Sequence, residues 1–170
     1  GMDTRNIITT EAVFRDYQNA KSIFLSNPDI LSMTVSDPPN IDQRGFSNVT
    51  WEEKDPGMVI QFFPVNVDPD YLKTFGVKMA SGRFFSEEFP SDRTEALVLN
   101  ETAVMAMGIT APLGKKITIE RQTYTIIGII QDFHQTTLSK PIEPMIFRWP
   151  SFHWSLCLRI TKRLILSISL

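Results

Sequence analysis

Two hydrophobic periods follow one another in the first part of the chain. Between residues 9 and 26, apolar residues recur at intervals of four, three and four: Val13, Tyr17, Ala20 and Phe24. This spacing predicts a helix over 9–26, and Thr10 is in position to cap its N-terminus. The next segment, ILSMTVS at 30–36, alternates polar and apolar residues, which predicts a half-buried strand. Residues 41–58 are mostly polar and predict a surface excursion.

The segment VDPDYLKTFG predicts a short helix with defined ends. Asp68 is expected to be its N-cap, and Pro69 its first residue, because the missing N–H of proline costs no hydrogen bond there. Tyr71 is expected to supply an apolar contact. Gly76 can adopt the left-handed conformation and is expected to end the helix.

The following residues, VKMASGRFF, predict a short strand that ends in a turn at Gly82 and Arg83. Phe84, Phe85 and Phe89 are expected to anchor the loop after that turn. These residue types specify a local backbone path rather than a reaction. The segment is therefore expected to serve folding.

Helix and strand signals continue downstream. Asn100 follows the strand pattern EALVLN and is expected to cap a second short helix that Gly108 ends. Gly114 lies in a predicted turn, APLG. Further strand patterns are predicted at 58–67, 115–120, 123–131, 141–149 and 155–160, and 115–120 forms a hairpin with 123–131.

Composition excludes several classes of function. The chain has 170 residues, a formal net charge of −2 and 42% hydrophobic residues, which predicts a folded core and argues against general affinity for nucleic acid. The single cysteine, Cys157, cannot form a disulfide within the chain and is expected to be buried. No stretch reaches the roughly 18 apolar residues that cross a bilayer. Gly1 before Met2 is expected to be a cloning remnant.

A nucleotide site is not predicted. The segment GITAPLGKK at 108–116 resembles a phosphate loop, which needs four residues between its glycines and Ser or Thr after the lysine. Here five residues separate the glycines, and Lys116 stands at the Ser/Thr position. The segment also lies between a predicted helix and a strand, the reverse of the required order. We therefore predict no ATP binding.

Metal and hydrolase sites are not predicted either. His153 and Cys157 are four residues apart, which would suit ligands on a helix but not on the strand expected here. Ser86, Asp132 and His134 could be drawn as a triad, but no nucleophile-elbow sequence is present. The prediction is no catalytic residue, no cofactor and no metal.

The order of four segments resembles a known family. VNVDPDYLKTFGVKMASGRFFSEEF, EALVLNETAVMAMGI, APLGKKITI and YTIIGIIQDFHQTTLSKPIEPMIF follow one another as in the MacB-like periplasmic core domain. That domain is the extracytoplasmic part of FtsX/MacB-type ABC transporter permeases, and this version is most similar to those of Bacteroidetes-type bacteria. The similarity covers about residues 11–148.

The resemblance implies an α+β fold in which a Porter-like α/β subdomain carries an inserted second subdomain of mixed α+β structure. Residues 9–57 and 141–170 are then expected to form the Porter-like subdomain, incomplete at its end, and residues 58–140 the insert. Structural roles are expected for ten residues: Asp68, Pro69, Tyr71, Gly76, Gly82, Arg83, Phe84, Asn100, Gly108 and Gly114.

The resemblance also implies a function and partners. The domain would lie on the periplasmic face of the inner membrane, between the first two membrane spans of a permease, and would couple their movement to partner or substrate handling. Its expected partners are those spans, a second permease copy, a separate nucleotide-binding domain in the cytoplasm, and periplasmic proteins, as in efflux systems. An alternative is a free-standing periplasmic binding module, and a third interpretation is a hydrolase, which a broad substrate screen would test. Membrane spans encoded beside the domain would separate the first two.

One segment departs from the family. After residue 160 the family continues with a polar turn and an amphipathic helix, whereas TKRLILSISL alternates Leu164, Leu166 and Ile168 with Ile165, Ser167 and Ser169. This alternation favours a strand. A missing helix would leave one sheet face bare, so the segment is expected to pair as an extra strand and to promote self-association.

Overall fold

The computed structural model describes residues 2–11, 17–37, 44–134, 141–150 and 155–168. The strands in these residues are β1 (Ile7–Glu11), β2 (Ile30–Val35), β3 (Val49–Trp51), β4 (Phe63–Asn66), β5 (Met79–Gly82), β6 (Ala96–Asn100), β7 (Lys116–Ile119), β8 (Gln122–Ile130), β9 (Met145–Arg148) and β10 (Ser155–Ile160). The helices are α1 (Tyr17–Leu25), α2 (Tyr71–Phe75), α3 (Asp92–Glu95), α4 (Glu101–Met107) and α5 (Lys162–Ile168). The predicted α+β fold class is confirmed.

A small antiparallel sheet has the strand order β1-β10-β2. One face of it is apolar and buried through Met33, Val35, Leu156, Leu158 and Ile160. Helices α1 and α5 cover this face with Tyr17, Phe24, Leu164 and Ile165. The apolar stripe predicted for the first helix is therefore confirmed at Tyr17 and Phe24, while Val13 lies outside the described residues.

The larger sheet has the order β3-β7-β8-β6-β9-β4, and β5 pairs with β8 beside this path. It is mixed, because β4 is parallel to β9 and β6 is parallel to β8. Strands β7 and β8 form the predicted hairpin, with Ile119 opposite Gln122. One face of the sheet packs against α4 through Ala103 and Met107.

Helix α2 lies between the two sheets. Tyr71 and Phe75 on this helix are fully buried. They belong to a core cluster that includes Phe147 of the larger sheet and Cys157 of the small sheet, with Ile7 packed against it. The layers are therefore α1 and α5, the small sheet, α2, the larger sheet and α4. This short helix is the packing link between the two sheets.

The first helix begins later than predicted. Thr10 was expected to cap it, but Thr10 lies in β1 and pairs with Leu156 of β10, and α1 begins at Tyr17. The segment IITTE is rich in β-branched residues, which favour strands when a partner strand is present. That partner lies near the other end of the chain, where a local pattern cannot reveal it.

The predicted strand after residue 160 is wrong. Residues Lys162–Ile168 form α5. Thr161 caps the helix, since its hydroxyl accepts a hydrogen bond from the Leu164 N–H three residues later at 3.4 Å. A helix is thus present where we expected the helix of the family to be missing, and it covers the sheet face. The basis for the predicted extra strand and self-association is removed.

The polar stretch at 41–58 contains a strand that was not predicted. In β3, Val49 and Trp51 are buried and pair with β7. Strand β9 also belongs to the larger sheet, between β6 and β4. Both strands lie outside the predicted insert at 58–140, so sheet membership does not follow those boundaries. The division into two subdomains stays a prediction.

Candidate functional site

The N-terminal end of α2 is organised by Asp68, but not as the predicted N-cap. The helix begins at Tyr71, and Asp70 stands at the N-cap position without a side-chain cap bond. The Asp68 carboxylate instead accepts a hydrogen bond from the Asp70 N–H at 3.0 Å. The Asp68 carbonyl accepts one from the Tyr71 N–H at 3.2 Å. Pro69 therefore lies in a turn before the helix rather than at its first position.

The Asp68 side chain joins three elements. Its Oδ1 accepts a hydrogen bond from the Thr34 hydroxyl at 2.5 Å. Its Oδ2 accepts bonds from the Tyr17 hydroxyl at 2.5 Å and from the Val35 N–H at 3.0 Å. With the Asp70 N–H, four donors fill the acceptor sites of one carboxylate. Asp68 is thus a polar connection between α1, β2 and the start of α2.

Burial raises the pKa values of the two ionisable side chains in this connection, Asp68 and Tyr17. Asp68 is 2% exposed. Burial raises the pKa of Asp68, although hydrogen bonds from Thr34 and Tyr17 act in the opposite direction. Burial, with the charge of Asp68, also raises the pKa of Tyr17, so its phenol stays protonated and remains a donor.

Two more contacts extend this connection along α1. The Lys21 ammonium forms an ion pair with Asp70, and both side chains are partly buried. The Gln18 amide donates to the Glu87 carboxylate at 2.7 Å. One face of α1 therefore contacts the chain on both sides of α2.

The C-terminal end of α2 is held by an arginine of the small sheet. Gly76 ends the helix as predicted, with φ 65°. The Arg159 guanidinium donates to the Thr74 carbonyl at 2.7 Å and to the Asp3 carbonyl at 2.6 Å. The Asp3 N–H donates to the Phe75 carbonyl at 2.7 Å. Strand β10 and the segment before β1 thereby hold the end of the helix opposite Asp68.

The Gly82–Arg83 turn depends on close backbone packing. Gly82 has φ 71° and lies opposite Gly128 of β8. A side-chain carbon on Gly82 would lie 2.4 Å from the Ile127 carbonyl oxygen, and one on Gly128 would lie 2.1 Å from the Arg83 carbonyl oxygen. No larger residue fits at either glycine without a shift of the backbone.

Arg83 turns back onto the loop that it begins. Its guanidinium makes two hydrogen bonds to the Asp92 carboxylate, at 2.6 and 2.8 Å. Those bonds raise the pKa of Arg83. The Phe84 and Phe85 rings are in tilted contact, with centroids 4.9 Å apart, and Phe85 is buried as expected of an anchor. Phe89 is 45% exposed, so its predicted anchoring role is wrong, and its ring lies beneath the Arg83 guanidinium at 4.2 Å.

Asn100 caps α4 as predicted and also connects distant segments. Its Oδ1 accepts hydrogen bonds from the Ala103 N–H at 3.0 Å and from the Met145 N–H at 2.8 Å. Its amide donates to Asp132 Oδ1 and to the Glu143 carbonyl, each at 2.9 Å. Gly108 ends this helix with φ 66°, again as predicted.

The segment that resembled a phosphate loop has a structural role. Gly114 has φ 82°, and its N–H donates to the Ile126 carbonyl at 2.8 Å, which positions the turn before β7. The order is helix, turn and strand, as the sequence indicated. An open groove of about 720 Å³ runs past this turn, with Trp51 and Leu113 among its apolar residues and Lys116 among its charged ones.

The described residues offer little reactive chemistry. No group of three or more His, Cys, Asp or Glu side chains in them could hold a metal ion. Cys157 is buried, and burial raises the pKa of its thiol. Asp132, which could be drawn as part of a triad with Ser86 and His134, accepts a hydrogen bond from the Thr102 hydroxyl at 2.7 Å. His153 of the imagined metal pair lies outside the described residues.

Several residues of this site were not predicted: Tyr17, Thr34, Asp92 and Arg159. Tyr17, Thr34 and Arg159 bind residues that are far away in the sequence, so no local spacing indicated their polar roles. Asp92 binds Arg83, nine residues before it. Arg159 has a weak signal, because a charged residue inside the apolar strand SLCLRI must find a polar partner.

The family is shown by comparison. The model of the MacB-like periplasmic core domain matches residues 5–148. The chain belongs to this family and is a periplasmic core domain of the kind found in MacB-like ABC transporter permeases. A search of curated proteins found no match. None of the helices in the described ranges is long and apolar enough to span a membrane.

Solved structures show the same fold. The periplasmic region of MacB from Actinobacillus actinomycetemcomitans is similar with a TM-score of 0.61 and 17% identity, over 97% of this chain and 80% of that one. The extracellular domain of the noncanonic ABC-type transporter YknZ from Gram-positive bacteria has a TM-score of 0.62 and 14% identity, over 95% of this chain and 88% of that one. At these identities the likeness concerns the fold.

Proposed function

We propose that this domain has no catalytic role and transmits movement of a permease's membrane spans to partners or substrate outside the membrane. The observation that carries the proposal is the attachment of α2. Residues of the small sheet and its helix hold both ends of α2, while its apolar side chains pack into the core of the larger sheet. A displacement of the small sheet would therefore move the larger sheet with it.

Movement of the membrane spans would reach the domain through the paired strands β1 and β10. Thr9 of β1 lies directly opposite Cys157 of β10. Strand β1 and helix α5 both belong to the small sheet and its covering helices, so membrane spans before and after this domain would act on the same small sheet. We propose that the larger sheet, β3 to β9, forms the part that extends toward partners. Those partners would be a second permease copy and periplasmic proteins, with ATP hydrolysed on a separate cytoplasmic domain.

Distances between spin labels in the permease that contains this domain would test the proposal. Val59 and Ile23 are 78% and 64% exposed, and Cys157 is buried, so Val59→Cys and Ile23→Cys can be labelled selectively. On ATP binding, we expect the Val59–Val59 distance between two permease copies to change. The Val59–Ile23 distance within one copy should stay constant.

A nucleotide-binding partner that cannot bind ATP provides the control and should abolish the change. If the distance between copies stays constant while ATP is hydrolysed, the domain does not transmit movement. If the distance within one copy changes instead, the two sheets do not move together and the proposed role of α2 is wrong.

A further inference from the structure

A second cleft lies at the end of the larger sheet, where the β7–β8 turn approaches the end of β9. It has a volume of about 620 Å³, within the range of ligand sites. Its polar lining consists of Asn48, Glu120, Arg121, Gln122, Tyr124 and Arg148. The proposed transmission of movement makes no use of this cleft.

Arg148 differs from the other half-buried arginines among the described residues. Arg83 is paired with Asp92, and Arg159 binds Asp3 together with three backbone carbonyls. The Arg148 carbonyl accepts a hydrogen bond from the Val67 N–H at 2.9 Å, but the half-buried guanidinium makes no hydrogen bond or ion pair with any residue in the described ranges. A partly desolvated guanidinium carries five donors and an obligatory charge, so it normally has an anionic partner. Since no described residue pairs with this guanidinium, it is available to an anionic group of another molecule.

Tyr124 supplies a second unused polar group. The residue is 8% exposed and packs in the core beneath α4, yet its hydroxyl makes no hydrogen bond within the described part of the chain. The ring is buried, but the hydroxyl is open to the cleft, where it can donate a hydrogen bond to a bound group. Because Tyr124 lines the cleft beside Arg148, one bound oxygen-bearing group could satisfy both side chains.

The β7–β8 turn adds the second arginine. Glu120 adopts φ 58°, a conformation that non-glycine residues seldom take, and Arg121 follows it on the exposed turn. Neither arginine of the cleft forms an ion pair with Glu120 or with any other described acid. The lining thus carries two uncompensated guanidinium groups and one carboxylate.

We propose that this cleft binds a carboxylate of a partner protein, on an acidic side chain or a chain terminus, through Arg148 and Arg121. Guanidinium groups match carboxylates in planar, two-bond geometry. The lining has a formal charge of +1, from two arginines and Glu120, which suits one carboxylate. A phosphate dianion would meet repulsion from Glu120. The site does not require the proposed transmission of movement, since binding can be measured on this chain alone.

Nuclear magnetic resonance titration of the ¹⁵N-labelled chain would test the site. The probe is an acetylated and amidated pentapeptide whose single carboxylate is an aspartate, and its asparagine counterpart is the matched control. We expect the aspartate peptide to shift the amide signals of residues 119–124 and Arg148, and the asparagine peptide to leave them unchanged. Arg148→Gln should weaken binding at least about tenfold, the effect of losing a charged hydrogen bond.

Two further variants keep the test decisive. Arg121→Gln lies on the exposed turn and should also weaken binding, even if Arg148→Gln proves unstable. Arg44→Gln removes the same charge from an exposed arginine outside the cleft and should leave binding unchanged. The proposal is overturned if the aspartate peptide shifts none of these signals. It is also overturned if Arg44→Gln weakens binding as much as Arg121→Gln, or if inorganic phosphate binds the cleft more tightly than the peptide.

Discussion

The two ends of α2 are held by opposite chemistry. At the N-terminal end, a buried carboxylate of Asp68 receives hydrogen bonds from two hydroxyls and two N–H groups. At the C-terminal end, the Arg159 guanidinium, whose side chain is 17% exposed, donates mainly to carbonyl oxygens. Both arrangements match the helix dipole, which favours negative charge at the N-terminus and positive charge at the C-terminus.

The difference lies in the access of water. When Asp68 is removed, its donors stay buried and water cannot replace the carboxylate easily. When Arg159 is removed, water can reach part of the site, because this arginine is only partly buried. Unsatisfied buried groups cost more than lost hydrogen bonds that water can replace. The N-terminal end should therefore be the more sensitive of the two.

The largest effect is expected for Asp68→Ala. This change leaves the Val35 and Asp70 N–H groups without an acceptor, and we expect a loss of about 2–3 kcal/mol in the free energy of unfolding. Chemical denaturation measures it, with Asp70→Ala as the control at a more exposed carboxylate. A loss of about 1 kcal/mol or less would mean that Asp68 acts as no more than an ordinary helix cap.

A smaller effect is expected for Arg159→Met. The variant keeps the aliphatic bulk of the side chain but loses its hydrogen bonds to the Thr74 and Asp3 carbonyls, and we expect a loss of about 1.5 kcal/mol. Arg163→Met is the matched control, because the Arg163 side chain is 75% exposed where it pairs with Asp29, and it should cost clearly less. Equal losses in the two variants would mean that Arg159 stabilises the domain no more than an exposed ion pair does.

The pH dependence of stability should also distinguish Asp68. Burial raises its pKa above the ordinary 3.8, so the folded state holds this proton more tightly than the unfolded state. The contribution of Asp68 is therefore complete below pH 3.8 and is lost as the pH rises through the folded pKa. The unfolding free energy of the natural chain minus that of Asp68→Asn should fall as the pH rises.

The comparison with Asp68→Asn is needed because other carboxylates have lowered pKa values, and their contribution to stability grows as the pH rises. Hydrogen bonds from Arg5 hold the pKa of Asp3 at about 2, and those from Arg163 and Thr161 lower the pKa of Asp29. These groups are present in both proteins and cancel in the difference. A difference that grows with pH would show that the hydrogen bonds to Asp68 outweigh its burial.

The smallest effect is expected for the ion pair between Lys21 and Asp70. A double-mutant cycle with Lys21→Ala and Asp70→Ala should give a coupling of about 0.5 kcal/mol, because the pair is partly accessible to water and salt. Added salt should reduce it. A coupling as large as the loss in Asp68→Ala would place the main attachment of α1 at this pair instead.

Local interactions explain which parts of the fold could be predicted. Gly76, Gly108 and Asn100 act at helix ends through bonds to residues a few positions away, and their roles were correctly predicted. The hairpin β7–β8 was also predicted, because its two strands are joined by a short turn. The order of the segments was sufficient to indicate the family.

The sequence by itself determined these helix ends, the hairpin and the family. The tertiary structure decided which structural roles Thr10 and Asp68 have. Thr10 lies in a strand because β10 is there to pair with it, and Asp68 accepts bonds from Thr34 and Tyr17 rather than capping a helix at Pro69. In both cases the competing partner lies far along the chain, and a buried donor or an unpaired strand edge costs more than a local cap provides.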